Sequence, residues 1–166
     1  AGKCCRFSET KVRTMGRLAQ GVKSISLDED EHVVSMVVIK KGEEDAQIIT
    51  ITENGYGKRN NAGDFRLTSR GAKGVKAGVF NEKTGKLVSL KQVHIDDDLM
   101  IIADNGVIIR TPVKDVSLLS RSTQGVKIMK LREGAKVVCL TTSEHEEQES
   151  TDIDEVIEEN IKNNEN

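Results

Sequence analysis

Aromatic side chains are almost absent from this sequence. Tryptophan does not occur, tyrosine occurs once and phenylalanine three times among 166 residues. Proteins that hold single-stranded nucleic acid commonly stack its bases on aromatic rings. The set Phe7, Tyr56, Phe65 and Phe80 is too sparse and too irregularly spaced for such a platform, so most of these rings are expected in the core.

Long apolar runs are missing as well. No stretch approaches the ~20 apolar residues that a membrane-spanning helix needs, and no N-terminal segment has the parts of a secretion signal. Cys4 and Cys5 are adjacent and Cys139 stands alone. This is not the even, spaced cysteine set of a disulfide-bonded secreted domain, so all three are interpreted as reduced thiols. We expect a soluble, cytoplasmic protein.

The sequence also lacks an obvious metal or cofactor site. His32, His94 and His145 do not have metal-ligand spacing to one another or to the cysteines. Three consecutive aspartates at 96–98 could bind Mg²⁺, but a solvated turn is the better interpretation of this run. We expect no metal, no cofactor and no catalytic residue.

The residues that are plentiful favour strands and turns. Proline occurs once, whereas valine, isoleucine, threonine and glycine are frequent. β-branched residues favour strands and glycine favours tight turns. The composition therefore predicts an all-β fold of many short strands.

The small net charge of −2 hides a division between a basic body and an acidic tail. Residues 1–142 hold 24 Lys and Arg against 17 Asp and Glu, whereas residues 143–166 hold one Lys against 10 Asp and Glu. The spacing of Ile153, Val156, Ile157 and Ile161 is compatible with a short amphipathic helix that docks on the body. A flexible solubilising tail is the alternative.

Three copies of one pattern run through the basic body. Each copy opens with a glycine, reaches an arginine four residues later and a second arginine eleven residues after the first, and ends in a Gly-Val-Lys triplet. The copies are offset by 53 and 51 residues, and the distance from opening glycine to triplet is the same in all three. The positions are Gly2, Arg6, Arg17 and 21–23; Gly55, Arg59, Arg70 and 74–76; Gly106, Arg110, Arg121 and 125–127.

Strands can be predicted inside each copy. Residues 48–52 (Ile-Ile-Thr-Ile-Thr) alternate as a strand, Glu-Asn-Gly at 53–55 suits a hairpin turn, and residues 56–59 return antiparallel. Residues 99–103 and 107–110 repeat this hairpin, and residues 74–80 and 86–93 supply further strands. About four strands per ~50 residues is the content of a propeller blade. We therefore divide the body into blades at approximately 1–47, 48–99 and 100–142.

Three blades are too few to close a ring, because propellers typically contain ~4 to 8. The first copy also lacks the strand that precedes the opening glycine in the other two. These features indicate part of a longer domain. Its open strand edges would be capped or paired by another chain, including a second copy of this one.

Two stretches carry a resemblance to a known family. Residues 52–59 followed by 65–75, and residues 96–113 followed by 120–127, resemble the C-terminal domain of the bacterial gyrase A subunit. The resemblance covers about residues 1–142. It implies a six-bladed β-pinwheel, a propeller variant whose blades exchange strands and whose basic rim wraps duplex DNA. It also implies a non-catalytic part of an ATP-dependent type IIA topoisomerase that supports negative supercoiling, with the rest of gyrase A and gyrase B as partners.

The family's box motif, Gln-Arg-Arg-Gly-Gly-Lys-Gly, has its nearest match at residues 68–74. Arg70, Gly71, Lys73 and Gly74 are kept, while residues 68, 69 and 72 differ. The match resembles the degenerate form of a later blade, which suggests the last three blades and the tail. The related domain of the topoisomerase IV A-type subunit is similar but more irregular, and the even spacing here favours gyrase. Tyr56 lies in a hairpin pattern, not in the family's cleavage motif.

Basic residues that recur once per blade suit a bent duplex, because phosphates repeat regularly along DNA. Glycines beside them let the main chain approach phosphate. The acidic tail would then compete with DNA for the same rim. An alternative is that the arginines hold blades together through carboxylate or carbonyl bonds, in a scaffold that binds proteins and whose tail recruits a basic partner. The predicted DNA-binding set is Arg6, Arg17, Lys23, Lys58, Arg59, Arg70, Gly71, Lys73, Gly74, Lys76, Arg110, Arg121 and Lys127.

Overall fold

The computed structural model describes residues 2–43 and 45–144, and this part of the chain forms antiparallel strands joined by turns. The acidic tail from residue 145 onward, expected as either a docked helix or a flexible segment, lies outside the described residues. The strands are β1 (Lys3–Cys4), β2 (Gln47–Thr52), β3 (Tyr56–Asn61), β4 (Val75–Lys76), β5 (Leu87–Val93), β6 (Asp97–Ala103), β7 (Ile108–Pro112), β8 (Val126–Lys127) and β9 (Val137–Glu144). Short 3₁₀ turns follow β1, β3 and β7, at Glu9–Lys11, Ala62–Asp64 and Val113–Asp115.

Two hairpins form the centres of the larger sheets. The β2–β3 hairpin places Ile49 opposite Arg59, and the β6–β7 hairpin places Met100 opposite Arg110. β5 pairs with the other edge of β2, and β9 with the other edge of β6. The predicted all-β fold of antiparallel blades is confirmed, and the turns at Gly55 and Gly106 adopt the positive φ that their glycines allow.

Neighbouring copies exchange short strands. β4 belongs to the second copy in sequence but pairs with β1 of the first, and β8 belongs to the third copy but pairs with β3 of the second. The sheet orders are therefore β1-β4, β5-β2-β3-β8 and β7-β6-β9. This exchange is the feature that the pinwheel resemblance implied. The four-stranded sheet of the second copy is completed by a strand of the third.

The core lies along the two central strands. Ile49, Ile51, Leu99 and Ile101 are fully buried and form one apolar cluster with Met129 and others. A smaller cluster at the junction between the first and second copies contains Phe65, which is 1% exposed. Full burial of such side chains is worth about 1.5–3 kcal/mol each. The isoleucines of the central strands therefore hold the copies together.

Among the described residues the first copy contains one strand, β1. Residues 34–40 occupy the position in the repeat that β5 and β9 hold in the other copies, where those strands pair with β2 and β6. In the first copy these residues form no strand, and Met36 and Val38 are 82% and 71% exposed. The strand predicted at 74–80 is reduced to β4, which begins after Gly74 because that residue has a φ of +75°, and which contains only the two residues that pair with β1.

The described residues include no helix long and apolar enough to cross a membrane.

β9 extends to Glu144, two residues beyond the boundary expected for the blades.

Candidate nucleic-acid interface

The first arginine of the repeat binds the 3₁₀ turn of the following copy. Arg6 donates from Nη1 to the carbonyl oxygens of Ala62 and Phe65, at 3.0 and 3.1 Å. Arg59 makes the equivalent contacts one copy later, from Nε to the Val116 carbonyl at 2.6 Å and from Nη2 to the Lys114 carbonyl at 3.3 Å. Arg59 is only 8% exposed. These guanidinium groups join blades.

Arg59 and Arg110 also bind across their own hairpins. Arg59 Nη1 donates to Gln47 Oε1 at 2.7 Å, and Arg110 Nε lies 2.7 Å from Asp98 Oδ2 in the same hairpin position. Arg110 has no following 3₁₀ turn among the described residues, and its Nη2 donates to the Glu144 carbonyl instead. Its side chain is 39% exposed.

The second arginine of the repeat binds the triplet of the preceding copy. Arg70 Nη1 donates to the Lys23 carbonyl at 2.5 Å, and its Nε donates to the Lys11 carbonyl at 2.9 Å. Arg121 Nη1 donates to the Lys76 carbonyl in the same way. Arg17, the equivalent arginine of the first copy, is exposed. The two arginine positions of the repeat thus connect each copy to the copies before and after it.

Lys58 is buried between copies, with 2% of its surface exposed. Its ammonium group donates to the carbonyls of Ser120, Arg121 and Thr123 at 3.1, 2.6 and 2.8 Å. Burial lowers the pKa of Lys58 from 10.5 to about 8, and the charge of Arg121 acts in the same direction. Cys5 and Ile109 stand at this position in the other copies. An apolar residue at this position in the other two copies indicates, from sequence alone, that the position faces the interior.

The lowered pKa predicts a pH dependence of stability that a Lys58→Met variant lacks. Between about 8 and 10.5 the unfolded chain binds more protons at Lys58 than the folded chain does. Raising the pH through this window therefore favours the folded state. We expect the free energy of unfolding of the parent to rise relative to that of the variant, measured by urea denaturation at about pH 7.5, 9 and 10.5. Other titrating groups are common to both proteins, so a difference that stays constant with pH would contradict the assignment.

The glycines of the predicted set allow copies to approach each other closely. Gly74 has a φ of +75°, and a Cβ there would lie 2.5 Å from the Cys4 carbonyl oxygen of the neighbouring copy. Gly71 has a φ of +80° and accepts from Ser26 Oγ through its carbonyl. In the free protein these two glycines lie against the neighbouring copy, and the approach of their main chain to phosphate stays a prediction.

The triplet lysines face solvent. Lys23, Lys76 and Lys127 are exposed, and none pairs with a carboxylate within residues 2–43 and 45–144. The ammonium of Lys127 lies 5.1 Å from the centre of the Tyr56 ring, and that of Lys83 lies 5.7 Å from it. Lys83 was not identified from the sequence, because it lies outside the repeat pattern. The same lysine is thus presented to solvent in each copy.

Exposure and side-chain partners divide the basic residues of the predicted set into three groups. Arg6, Lys58 and Arg59 are committed to contacts between copies, and we do not propose them as DNA contacts. Arg70, Arg110 and Arg121 are partly accessible but bound to protein oxygens. Arg17, Lys23, Lys73, Lys76 and Lys127 are the exposed members.

Two aspartates of the run at 96–98 make protein contacts. Asp97 accepts from the His94 amide, which closes a turn, and Asp98 binds Arg110. Among the described residues no group of three or more histidine, cysteine or acidic side chains is arranged to hold a metal ion. His145 lies outside them.

Comparison with known proteins identifies the family. The family model described as the DNA gyrase C-terminal domain, a β-propeller, matches residues 1–40, 46–94 and 97–138. The chain belongs to this family. The resemblance to the C-terminal domain of gyrase A that the repeat motifs carry is therefore confirmed.

Curated relatives that are A subunits of DNA gyrase agree with this assignment. The chain is 45% identical over 129 residues to that of Staphylococcus epidermidis, covering 78% of the chain and 14% of the relative. It is 42% identical over 136 residues to that of Ureaplasma parvum, covering 82% and 16%. It is 39% identical over 150 residues to that of Staphylococcus aureus, covering 90% and 17%. The chain thus spans less than a fifth of the length of these relatives.

Solved structures show the same fold. A gyrase A C-terminal domain superposes with a TM-score of 0.73 at 26% identity, covering 85% of this chain and 47% of that one. The C-terminal domain of a DNA topoisomerase IV superposes with a TM-score of 0.80 at 21% identity, covering 96% and 49%. At that identity the second likeness concerns the fold alone.

Proposed function

We propose that this chain binds and wraps duplex DNA as an accessory C-terminal part of the gyrase A subunit, and so supports ATP-dependent negative supercoiling. The observation that carries the proposal is a difference between the repeated arginines, most of which bind protein, and the repeated lysines, which face solvent. Four of the six repeat arginines, Arg6, Arg59, Arg70 and Arg121, are bound to carbonyls between copies. Lys23, Lys76 and Lys127, in contrast, occur at one position of each copy and are exposed, without a carboxylate partner in the described part of the chain.

Repeated surface lysines suit a DNA backbone that bends past successive blades. A lysine ammonium is a compact charge on a flexible stem, which contacts phosphate without requiring a fixed geometry. Contacts of this kind position the duplex but do not distinguish bases. The proposal is therefore binding that depends on salt and is independent of sequence.

The chain contributes no catalytic group in this role. Tyr56, the one tyrosine, lies at the start of β3 beside Lys83 and Lys127. A tyrosine nucleophile for strand cleavage needs arginine and metal-site partners, and these lysines do not supply them. We assign cleavage to the rest of gyrase A and ATP hydrolysis to gyrase B, which are the proposed partners in the cytoplasm.

The triplet lysines provide the test. A Lys76→Gln, Lys127→Gln double variant should weaken binding to unrelated duplexes by similar factors, because both side chains contact phosphate. The slope of log K against log salt should flatten by about 1.8, at about 0.9 for each phosphate that is no longer neutralised. Fluorescence anisotropy with duplexes of about 30 base pairs, between about 50 and 200 mM salt, measures both quantities.

The matched control replaces two exposed lysines outside the repeat, Lys41→Gln and Lys114→Gln. We expect their slope to stay closer to that of the parent. A parent chain that shows no salt-dependent DNA binding would overturn the proposal, and salt-insensitive capture of a protein would favour the scaffold alternative. An equal change of slope in both double variants would show that the triplet lysines contact phosphate no more than other exposed lysines do.

A further inference from the structure

Three lysines gather at the ladder between β1 and β4. Lys3 and Lys76 lie directly opposite each other in these strands, so their side chains share one face. Lys73 comes three residues before Lys76 and is also exposed. Like charges opposite each other destabilise a strand pair unless an anion lies between or beside them. The ladder therefore favours a bound anion.

The carboxylate of Asp28 supplies an anion beside Lys3, one of the two opposed ladder lysines, and beside Lys73. Lys3 Nζ lies 3.3 Å from Asp28 Oδ2, and Lys73 Nζ lies 3.1 Å from Asp28 Oδ1. Each ammonium contacts a different oxygen of one group, an arrangement that a phosphate with its several oxygens can reproduce. The hydrogen bond from Lys73, and then that from Lys3, hold the pKa of Asp28 below its usual value. The carboxyl is therefore ionised at neutral pH.

A short segment directs Asp28 toward the lysines. Ser26 donates from its amide to the Ala72 carbonyl at 2.9 Å and from Oγ to the Gly71 carbonyl at 2.8 Å. These bonds attach the segment beside the residues that precede Lys73. The Asp28 amide donates to Glu31 Oε2 at 2.8 Å, which closes the turn after it. Asp28 is held over the basic face by contacts that do not involve the lysines.

We propose that Lys3 and Lys73 form a phosphate-binding site of the DNA path and that Asp28 occupies this site in the free protein as an internal competitor. This inference rests on the proposed function in duplex binding. It adds Lys3 to the DNA-contacting residues and makes Asp28 a residue that lowers DNA affinity.

Phosphate can displace Asp28 because the carboxylate itself and Lys73 are open to solvent, while Lys3 is partly exposed, at 28%. The side chains of Asp28 and Lys73 are 55% and 69% exposed, and exposed pairs of this kind contribute little because water and salt screen them. A phosphate of bound DNA is covalently part of the duplex. The other contacts along the duplex therefore help to keep it beside these lysines. The DNA therefore replaces the carboxylate without breaking a buried contact.

The test compares removal of the competitor with removal of the site, in the full chain. Asp28→Asn should tighten binding of a duplex of about 30 base pairs about fivefold at low salt, a coupling at the lower end of the usual range. Asp96→Asn is the control for net charge, because Asp96 is exposed and has no ion pair among the described residues. The same Asp28→Asn change is then made in a Lys3→Gln, Lys73→Gln background.

The coupling between the changes decides the outcome. We expect the gain from Asp28→Asn to exceed that from Asp96→Asn in the parent and to fall to the control value once both lysines are replaced. Equal gains from the two aspartates, or a gain that persists without the lysines, would overturn the competitor role while leaving duplex binding intact. A parent that does not bind duplex DNA at low salt would overturn both proposals. Thermal unfolding of each variant separates these results from loss of the fold.

Discussion

Replacing Gly125 by alanine is expected to lower the free energy of unfolding by about 3 kcal/mol. Two costs add at this position. The backbone has a φ of +88°, and a Cβ would lie 2.6 Å from the carbonyl oxygen of Gly57 in the neighbouring copy. The first cost is about 1 kcal/mol for an L-residue in the left-handed region, and overpacking against main chain adds about 2 kcal/mol. Urea denaturation followed by circular dichroism measures the sum.

The repeat itself offers a matched control. Gly21 is the same triplet glycine in the first copy, with a φ of +82° and no atom within 4 Å of the position of a Cβ. Gly21→Ala should therefore cost only the backbone term of about 1 kcal/mol. Similar losses from the two substitutions would show that the contact between β8 and β3 does not require glycine.

Replacing Arg59 by alanine is the second change with a large expected effect, a loss of about 3 kcal/mol in the free energy of unfolding. The substitution removes the donors that serve the Val116 and Lys114 carbonyls and Gln47 Oε1. A buried acceptor left without a donor costs about 1–3 kcal/mol, and relief from burying the guanidinium offsets part of the total. The m-value should stay unchanged if the unfolded state is unaffected.

Arg17→Ala is the control of the same residue type. Arg17 is exposed and makes no hydrogen bond or ion pair to the described residues, so its removal should change stability by less than about 0.5 kcal/mol. The interpretation of Arg59 as a blade connector would fail if Arg59→Ala unfolded like the parent. A simultaneous loss of DNA affinity would then return Arg59 to the DNA-contacting set.

Gly125 and Arg59 both act at boundaries between copies. Each copy is connected to its neighbours by a two-residue strand, a glycine contact and arginine bonds to main-chain carbonyls. Short strands alone provide few ladder bonds, so the arginines and the close glycine contacts stabilise the boundaries between copies. The exposed lysines are then free to act on a partner without weakening the fold.

The repeat, the family and the two central hairpins could all be predicted from the amino-acid sequence. These follow from local patterns: alternating Ile and Thr at 48–52, a glycine turn at 53–55, and their equivalents one copy later. Hairpin partners lie close in the chain, so the sequence pattern is enough to predict them. The first copy differs from the other two, since β1 is its one strand among the described residues.

The packing of the copies against one another decides which cations are buried and which face solvent, and the sequence alone does not specify it. Lys58 and Lys76 are both strand lysines in a glycine-rich setting, yet the carbonyls that surround Lys58 come from residues 120–123, more than 60 positions away. Asp28 meets Lys73 across 45 positions for the same reason. Local pattern specifies which residues form a strand, but the environment of a side chain depends on which copy packs against it. Strand exchange between copies determines that packing.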